Sequence, residues 1–289
     1  MKLLFLFLFI PVTAMALSWD EYIEDKKSII SHEKHLPYQL THGYKTPKSV
    51  LLIHGIYSSP LYFRAMAEAY FEAGYNVVTV LLPGHWEKDY RVMRKITNED
   101  WSREIEKGFE FAQRLGDKVI LSGHSLGGLL SIEQALKRPT DQIHSVVVLS
   151  PSLKVRSLAL RTCEFGMRFH ITGNEFLFSK PDGVNVPLFD PIAGPHIQNL
   201  SDRVLRSNLS VPVFMALTPN DPVVDVSFLL RFFRSIPSEK KLIRYKVSSG
   251  IFHGDIYQKP GSESFAYGTK GNPDFDNLMN QAIDFIESY

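Results

Sequence analysis

The run Gly123-His124-Ser125-Leu126-Gly127 stands between an apolar, β-branched stretch at 118–122 and an amphipathic one at 126–137. A sharp strand-to-helix turn lifts a serine hydroxyl out of a sheet only if backbone segments pass close together, which requires flanking positions without side chains. Gly123, Gly127 and the following Gly128 meet that requirement. The helix that starts beside Ser125 would offer its first N–H groups to a developing oxyanion. These residue types in this order predict a nucleophilic serine.

A serine hydroxyl needs a base, and a base needs an orienting acid. The chain has 10 histidines, but only His253, in SSGIFHGD, follows the late strand that should carry the acid. It falls in a loop after a strand at 242–247, where a base can reach over the C-terminal edge of a sheet. PVFMALTPNDPVVD ends an earlier strand and enters a turn with Asp221 and Asp225. Asp221, just past the strand, is placed to accept from the ring of His253; Asp225 is placed to start the next helix, where an acidic residue suits the dipole. The second oxyanion donor should come from the loop after an early strand. LLIHGIYSSP supplies it, and the N–H groups of Ile56 and Leu126 form the expected pair. The chemistry is acyl transfer through Ser125, Asp221 and His253.

Such residues must be held at one edge of a sheet. Short apolar runs at 50–54, 77–82, 118–122, 145–150, 212–217 and 242–247 read as strands covered on both faces. Helical stretches at 61–73, 99–115, 126–137 and 275–287 alternate with them, the first two stopped by Gly74 and Gly116. The pattern predicts an α/β fold, a mostly parallel twisted sheet with helices on both faces. The long interval 151–207 breaks the rhythm after a strand end, where an inserted cap over a site would lie. No repeat or linker marks a second domain.

Lys plus Arg number 32 against 31 Asp plus Glu, which gives no field suited to nucleic acid. Lys2, the apolar run LLFLFLFIPV and Ala14-Met15-Ala16 have the order of a signal peptide, residues 1–16, and predict an exported protein, periplasmic or secreted. The apolar run is shorter than the roughly 20 residues of a spanning helix, so no stable membrane anchor is expected after cleavage. Cys163 is the only cysteine, which excludes an intramolecular disulfide; nothing in TCEFG would activate it as a thiol. No histidine cluster has metal-ligand spacing, and no glycine-rich phosphate loop precedes a helix. Cofactor-free, metal-free chemistry is expected.

HGIYSSP, LLPGH, GHSLGG, TPNDPVVD and FHGD occur in one order, and with them the chain from about residue 45 to 289 resembles the α/β-hydrolase superfamily. It is most similar to the branch of monoacylglycerol lipases, bacterial carboxylesterases and serine aminopeptidase S33 sequences. The resemblance implies the α/β-hydrolase fold, the Ser-His-Asp triad and a cap matching 151–207 by position. The chain departs from that branch in LLPGHW, in YGTKGNPDF and in a longer segment between His253 and the last helix.

Phe165, Met167, Phe169, Phe176, Leu177 and Phe178 would make an apolar cap suited to an acyl chain, so a carboxylic ester, such as a monoacyl lipid, is the expected small-molecule partner. A peptidase or amidase would use the same triad. A non-catalytic binding protein on the same scaffold is the third class, and the full set of site residues stands against it.

Overall fold

The computed structural model describes residues 17–156, 193–263 and 270–289. The signal peptide expected at 1–16, Cys163 and the aromatic stretch 165–178 lie outside the described residues.

Seven strands form one sheet among the described residues: β1 (Gln39–Leu40), β2 (Thr46–Ile53), β3 (Asn76–Val80), β4 (Gly116–His124), β5 (Ile143–Leu149), β6 (Val213–Leu217) and β7 (Lys240–Arg244). They lie in the order β1-β3-β2-β4-β5-β6-β7. Only β1 is antiparallel to its neighbour. Side chains alternate across a strand, so Leu51 and Ile53 of β2 join one core while Val50 and Leu52 join the other.

The first core is covered by α1 (Trp19–Ile29), α3 (Asn98–Leu115), α4 (Leu126–Lys137), α5 (Ala193–Val204) and α6 (Val226–Ser235). The second is covered by α2 (Arg64–Glu72) and α7 (Phe275–Glu287). α5 belongs to the interval 151–207 and buries Ile197 and Leu200 in the first core. Among the described residues no helix is long and apolar enough to cross a membrane.

Two local expectations change. The stretch 61–73 divides into a 3-10 turn at Pro60–Phe63 and then α2, with Gly74 at φ +92° ending it. Gly116 does not close α3 in a left-handed conformation. It is extended (φ −148°, ψ 154°) and starts β4 directly, and it must be glycine because a Cβ there would lie 2.4 Å from the Ser49 amide nitrogen.

The chain runs from β2 outward to β3, then returns past β2 to β4. Strand order therefore reverses between β2 and β4, and the loops leaving these two strands diverge and open a crevice at the sheet's C-terminal edge. His54-Gly55-Ile56 and Ser125 sit at this point.

Candidate active site

Ser125 stands between β4 and α4, at φ 55°, ψ −118°. A non-glycine residue in that region costs on the order of 1–3 kcal/mol, so neighbours must enforce it. Its N–H donates to the Leu149 carbonyl at 3.0 Å, and its carbonyl accepts from Ser152 and Leu129 at 3.0 and 3.1 Å. The flanking glycines are obligatory. A Cβ at Gly123 would lie 2.5 Å from the Gly127 carbonyl, and one at Gly127 would lie 2.1 Å from the Ile53 carbonyl oxygen. Leu126 is the first residue of α4, so its N–H has no partner within the helix.

The loop after β2 is set by His54, which is buried. Its Nε2 accepts the Leu82 N–H at 3.0 Å, so Nδ1 must carry the proton, which it donates to the Gly55 carbonyl at 2.8 Å. Ser58 N–H donates to the same carbonyl at 3.2 Å. The Gly55–Ile56 peptide is trans, and in a planar trans peptide N–H and C=O point in opposite directions. Pinning the carbonyl therefore turns the Ile56 N–H away from His54. Tyr57 follows at φ +59°. Gly55 stands against the serine, since a Cβ on it would come 3.3 Å from the Ser125 Cβ. Burial, with nearby His85 second, pushes the His54 imidazole well below its ordinary pKa, which keeps it neutral in this strap.

Asp221 and His253 meet directly. Nδ1 of His253 donates to Oδ2 of Asp221 at 2.6 Å, and Oδ1 of Asp221 accepts the N–H groups of Val223 and Val224 at 2.8 and 3.0 Å. Burial would raise the Asp221 carboxyl, but the His253 ring and the two amides outweigh it and hold it below the usual aspartate range. An ionised Asp221 accepts the hydrogen bond from Nδ1–H of His253, which fixes the tautomer that leaves Nε2 as the nitrogen able to accept a proton. Asp225 caps α6, accepting from Phe228 N–H at 2.9 Å.

The loop carrying His253 is tied down from several sides. His124 Nε2 donates to the His253 carbonyl at 2.9 Å, and the His124 ring lies 4.4 Å from that of Tyr257, centroid to centroid. Thr218 Oγ1, at the end of β6, donates to the Ile251 carbonyl. Asp255 accepts Phe252 N–H at 2.9 Å and, with its other oxygen, the N–H groups of Lys270 and Gly271 at 2.9 and 3.1 Å. It joins the His253 loop to the far end of the unusual segment after it. His85 is buried in the turn after β3, where Nδ1 meets the Leu82 and Pro83 carbonyls.

The hydroxyl of Ser125 is bonded to Ser152 Oγ at 2.9 Å; the His253 ring is not its hydrogen-bond partner among the described residues. Ser152, His124 as a tether and Asp255 as an anchor are absent from the sequence reading. Asp255 is the most legible of the three, because it closes the FHGD motif.

A sequence model described as "Alpha/beta hydrolase family" matches residues 50–245. The chain belongs to the alpha/beta hydrolase family. It is 32% identical over 113 residues to a thermostable monoacylglycerol lipase of Bacillus sp. (strain H-257), a match covering 39% of this chain and 44% of that one. The chain thus spans less than half of that relative. It is 21% identical over 236 residues to the phospholipase YtpA of Bacillus subtilis (strain 168), covering 74% of this chain and 90% of that one. The crystal structure of a Paleococcus ferrophilus monoacylglycerol lipase matches with TM-score 0.62 and 22% identity, over 87% of this chain and 98% of that one. At that identity the likeness speaks for the fold.

Proposed function

We propose that the protein hydrolyses carboxylic esters through an acyl-enzyme on Ser125, with monoacyl lipids as its substrate class. The observation that carries this is the His253–Asp221 bond of 2.6 Å on the same sheet edge as a serine held at positive φ.

In the proposed reaction Nε2 of His253 removes the Ser125 proton as Oγ attacks the ester carbonyl carbon, and the carbonyl electron pair moves onto oxygen. The N–H groups of Ile56 and Leu126 receive that oxyanion. Collapse expels the alcohol, which takes the proton from His253. Water then enters by the same route: His253 removes its proton, the acid leaves, and Ser125 recovers its hydrogen. Asp221 stays ionised and holds the imidazolium. The relatives named as a monoacylglycerol lipase and a phospholipase support an acyl-lipid substrate.

Monoacylglycerols and p-nitrophenyl esters of graded chain length test the proposal beside peptide amides. Turnover of esters is expected to fall by about 10³-fold or more in Ser125→Ala. Wild-type turnover equal to that of the variant, or preference for the amides, would overturn the assignment. Export belongs to the same proposal and rests on the order of charged, apolar and small residues in 1–16; a mature N-terminus at Leu17 is the expected result of sequencing the exported protein.

A further inference from the structure

The loop after β5 is bent in a way that the seven-strand sheet does not require. Ser150 has φ +43°, although it is not a glycine, and its buried hydroxyl has no hydrogen-bond partner. Its N–H donates to the Ala216 carbonyl at 2.9 Å, which fixes the bend to β6. Pro151 then packs on α4: a Cβ at Gly128 would stand 3.0 Å from the Pro151 Cβ. The third glycine of GHSLGG is thus the opening through which Pro151 reaches the helix. The product of this strained turn is the placement of Ser152, which is 2% exposed. Its N–H donates to the Ser125 carbonyl at 3.0 Å and its Oγ lies 2.9 Å from the Ser125 Oγ.

Backbone strain persists only where surrounding structure enforces it, and it clusters at functional sites. Here it brings a second hydroxyl onto the proposed nucleophile by two bonds, one from the backbone and one from the side chain. We infer that Ser152 is a positioning residue for Ser125: it holds Oγ in a single orientation and donates to it as negative charge develops. This inference rests on the proposed role of Ser125.

The chemistry follows from proton count. At rest either hydroxyl can donate to the other. Once His253 has taken the Ser125 proton, Oγ has none left and can only accept, so the Ser152 O–H must be the donor. Its proton stays on Ser152 throughout. The same donor faces Ser125 Oγ when that atom leaves the acyl group during deacylation. Ser152 touches neither acyl chain nor alcohol in this scheme, so its loss should change rate rather than affinity.

The test compares wild type, Ser152→Ala, Ser152→Cys and Ser125→Ala by steady-state kinetics on one p-nitrophenyl ester, by the rate of labelling with a fluorophosphonate, and by thermal unfolding. A net hydrogen bond of this kind corresponds to about a tenfold effect. Ser152→Ala is expected to lower both kcat and the labelling rate about tenfold, with KM within about twofold of wild type. Ser152→Cys, whose thiol is a weaker donor of larger size, should fall in the same direction; it serves as the deciding variant if Ser152→Ala does not fold. A folded variant with wild-type kcat and labelling rate overturns the inference. If wild type is labelled at Ser125 but Ser152→Ala is labelled as fast, only the role of Ser152 fails. If wild type is not labelled at Ser125, the proposed nucleophile fails and Ser152 with it.

Discussion

The ring of His124 donates through Nε2 to the backbone carbonyl of His253 across 2.9 Å. The residue beside the serine thereby sets the height of the loop that presents His253, the proposed base. A misplacement of the order of 1 Å can cost about a hundredfold in rate. His124→Ala is therefore expected to lower kcat ten- to a hundredfold, on the order of that figure, with KM little changed. Steady-state kinetics on a short-chain ester checks it; unchanged kcat in a folded variant would show that the other ties suffice.

Gly127 faces the Ile53 carbonyl oxygen, which a Cβ would approach to 2.1 Å, whereas at Gly43 nothing lies within 4 Å. Backbone cannot yield as a side chain does. Gly127→Ala should lose about 3 kcal/mol or more. Gly43→Ala, at φ +82°, should lose only about 1 kcal/mol, the cost of a left-handed conformation. Urea unfolding of the two variants side by side measures the difference, and equal losses would refute the packing explanation.

Lys26 reaches from α1 into the protein, where it meets Glu104 at 2.7 Å and donates to the Leu81 carbonyl at 3.1 Å. Tyr22 donates to the same carboxylate at 2.6 Å, and its phenol is pushed far above its ordinary pKa by burial first and by Glu104 second. Removing one partner of a buried pair costs about 3–5 kcal/mol because the other charge stays behind. Lys26→Met should show that loss. Combining it with Glu104→Gln, which keeps an acceptor for Tyr22, should recover more than half; a double variant no better than the single one would mean the pair's charge is not what destabilises.

Burial lowers His85 to about 4, and it drives His54 and His124 well below the usual histidine value. These groups are neutral in the fold and titrate near 6.5 when unfolded. The unfolded chain binds more protons between these limits, so stability is full above about pH 6.5 and falls as pH drops. From pH 6.5 to 5 each such group removes about 2 kcal/mol. Thermal unfolding across that interval should show Tm falling by on the order of 10 °C; a flat profile would contradict the burial of these rings as neutral species.

The sheet was legible because the inner stretches of its central strands, such as 50–53 and 119–121, are buried on both faces and therefore apolar, and α7 for the complementary reason, a clean amphipathic stripe. β7 is an edge strand. Its start at Lys240-Lys241 is half-buried and reads as polar, which displaced the expected start by two residues. β1 has two residues, too few to show a period. α1 hides for another reason: its buried residues are Tyr22 and Lys26, with Trp19 and Ile23 packed partly buried beside them, so a charge interrupts its apolar face. Its capping box, Ser18 with Glu21, was the available signal.

The candidate site divides the same way. Ser125, Asp221 and His253 have side chains suited to the proposed chemistry and stand in a telling order along the chain, so the sequence could nominate them. His124 and His54 stood inside recognised motifs, but each acts through a backbone carbonyl, and no sequence pattern specifies which carbonyl a ring will meet. Ser152 depends on a left-handed residue two positions earlier that is not a glycine. Nothing in Ser150-Pro151-Ser152 announces that bend.

Asp221 divides its two oxygens, one toward Val223 and Val224, the other toward His253. Every neighbour on both sides is a donor. An asparagine of the same outline has one accepting end and one donating end: with its oxygen toward the two amides it would donate to Nδ1 of His253 and drive the ring proton onto Nε2. The position is a socket with two like poles, and its closest steric copy fits it only by reversing the imidazole.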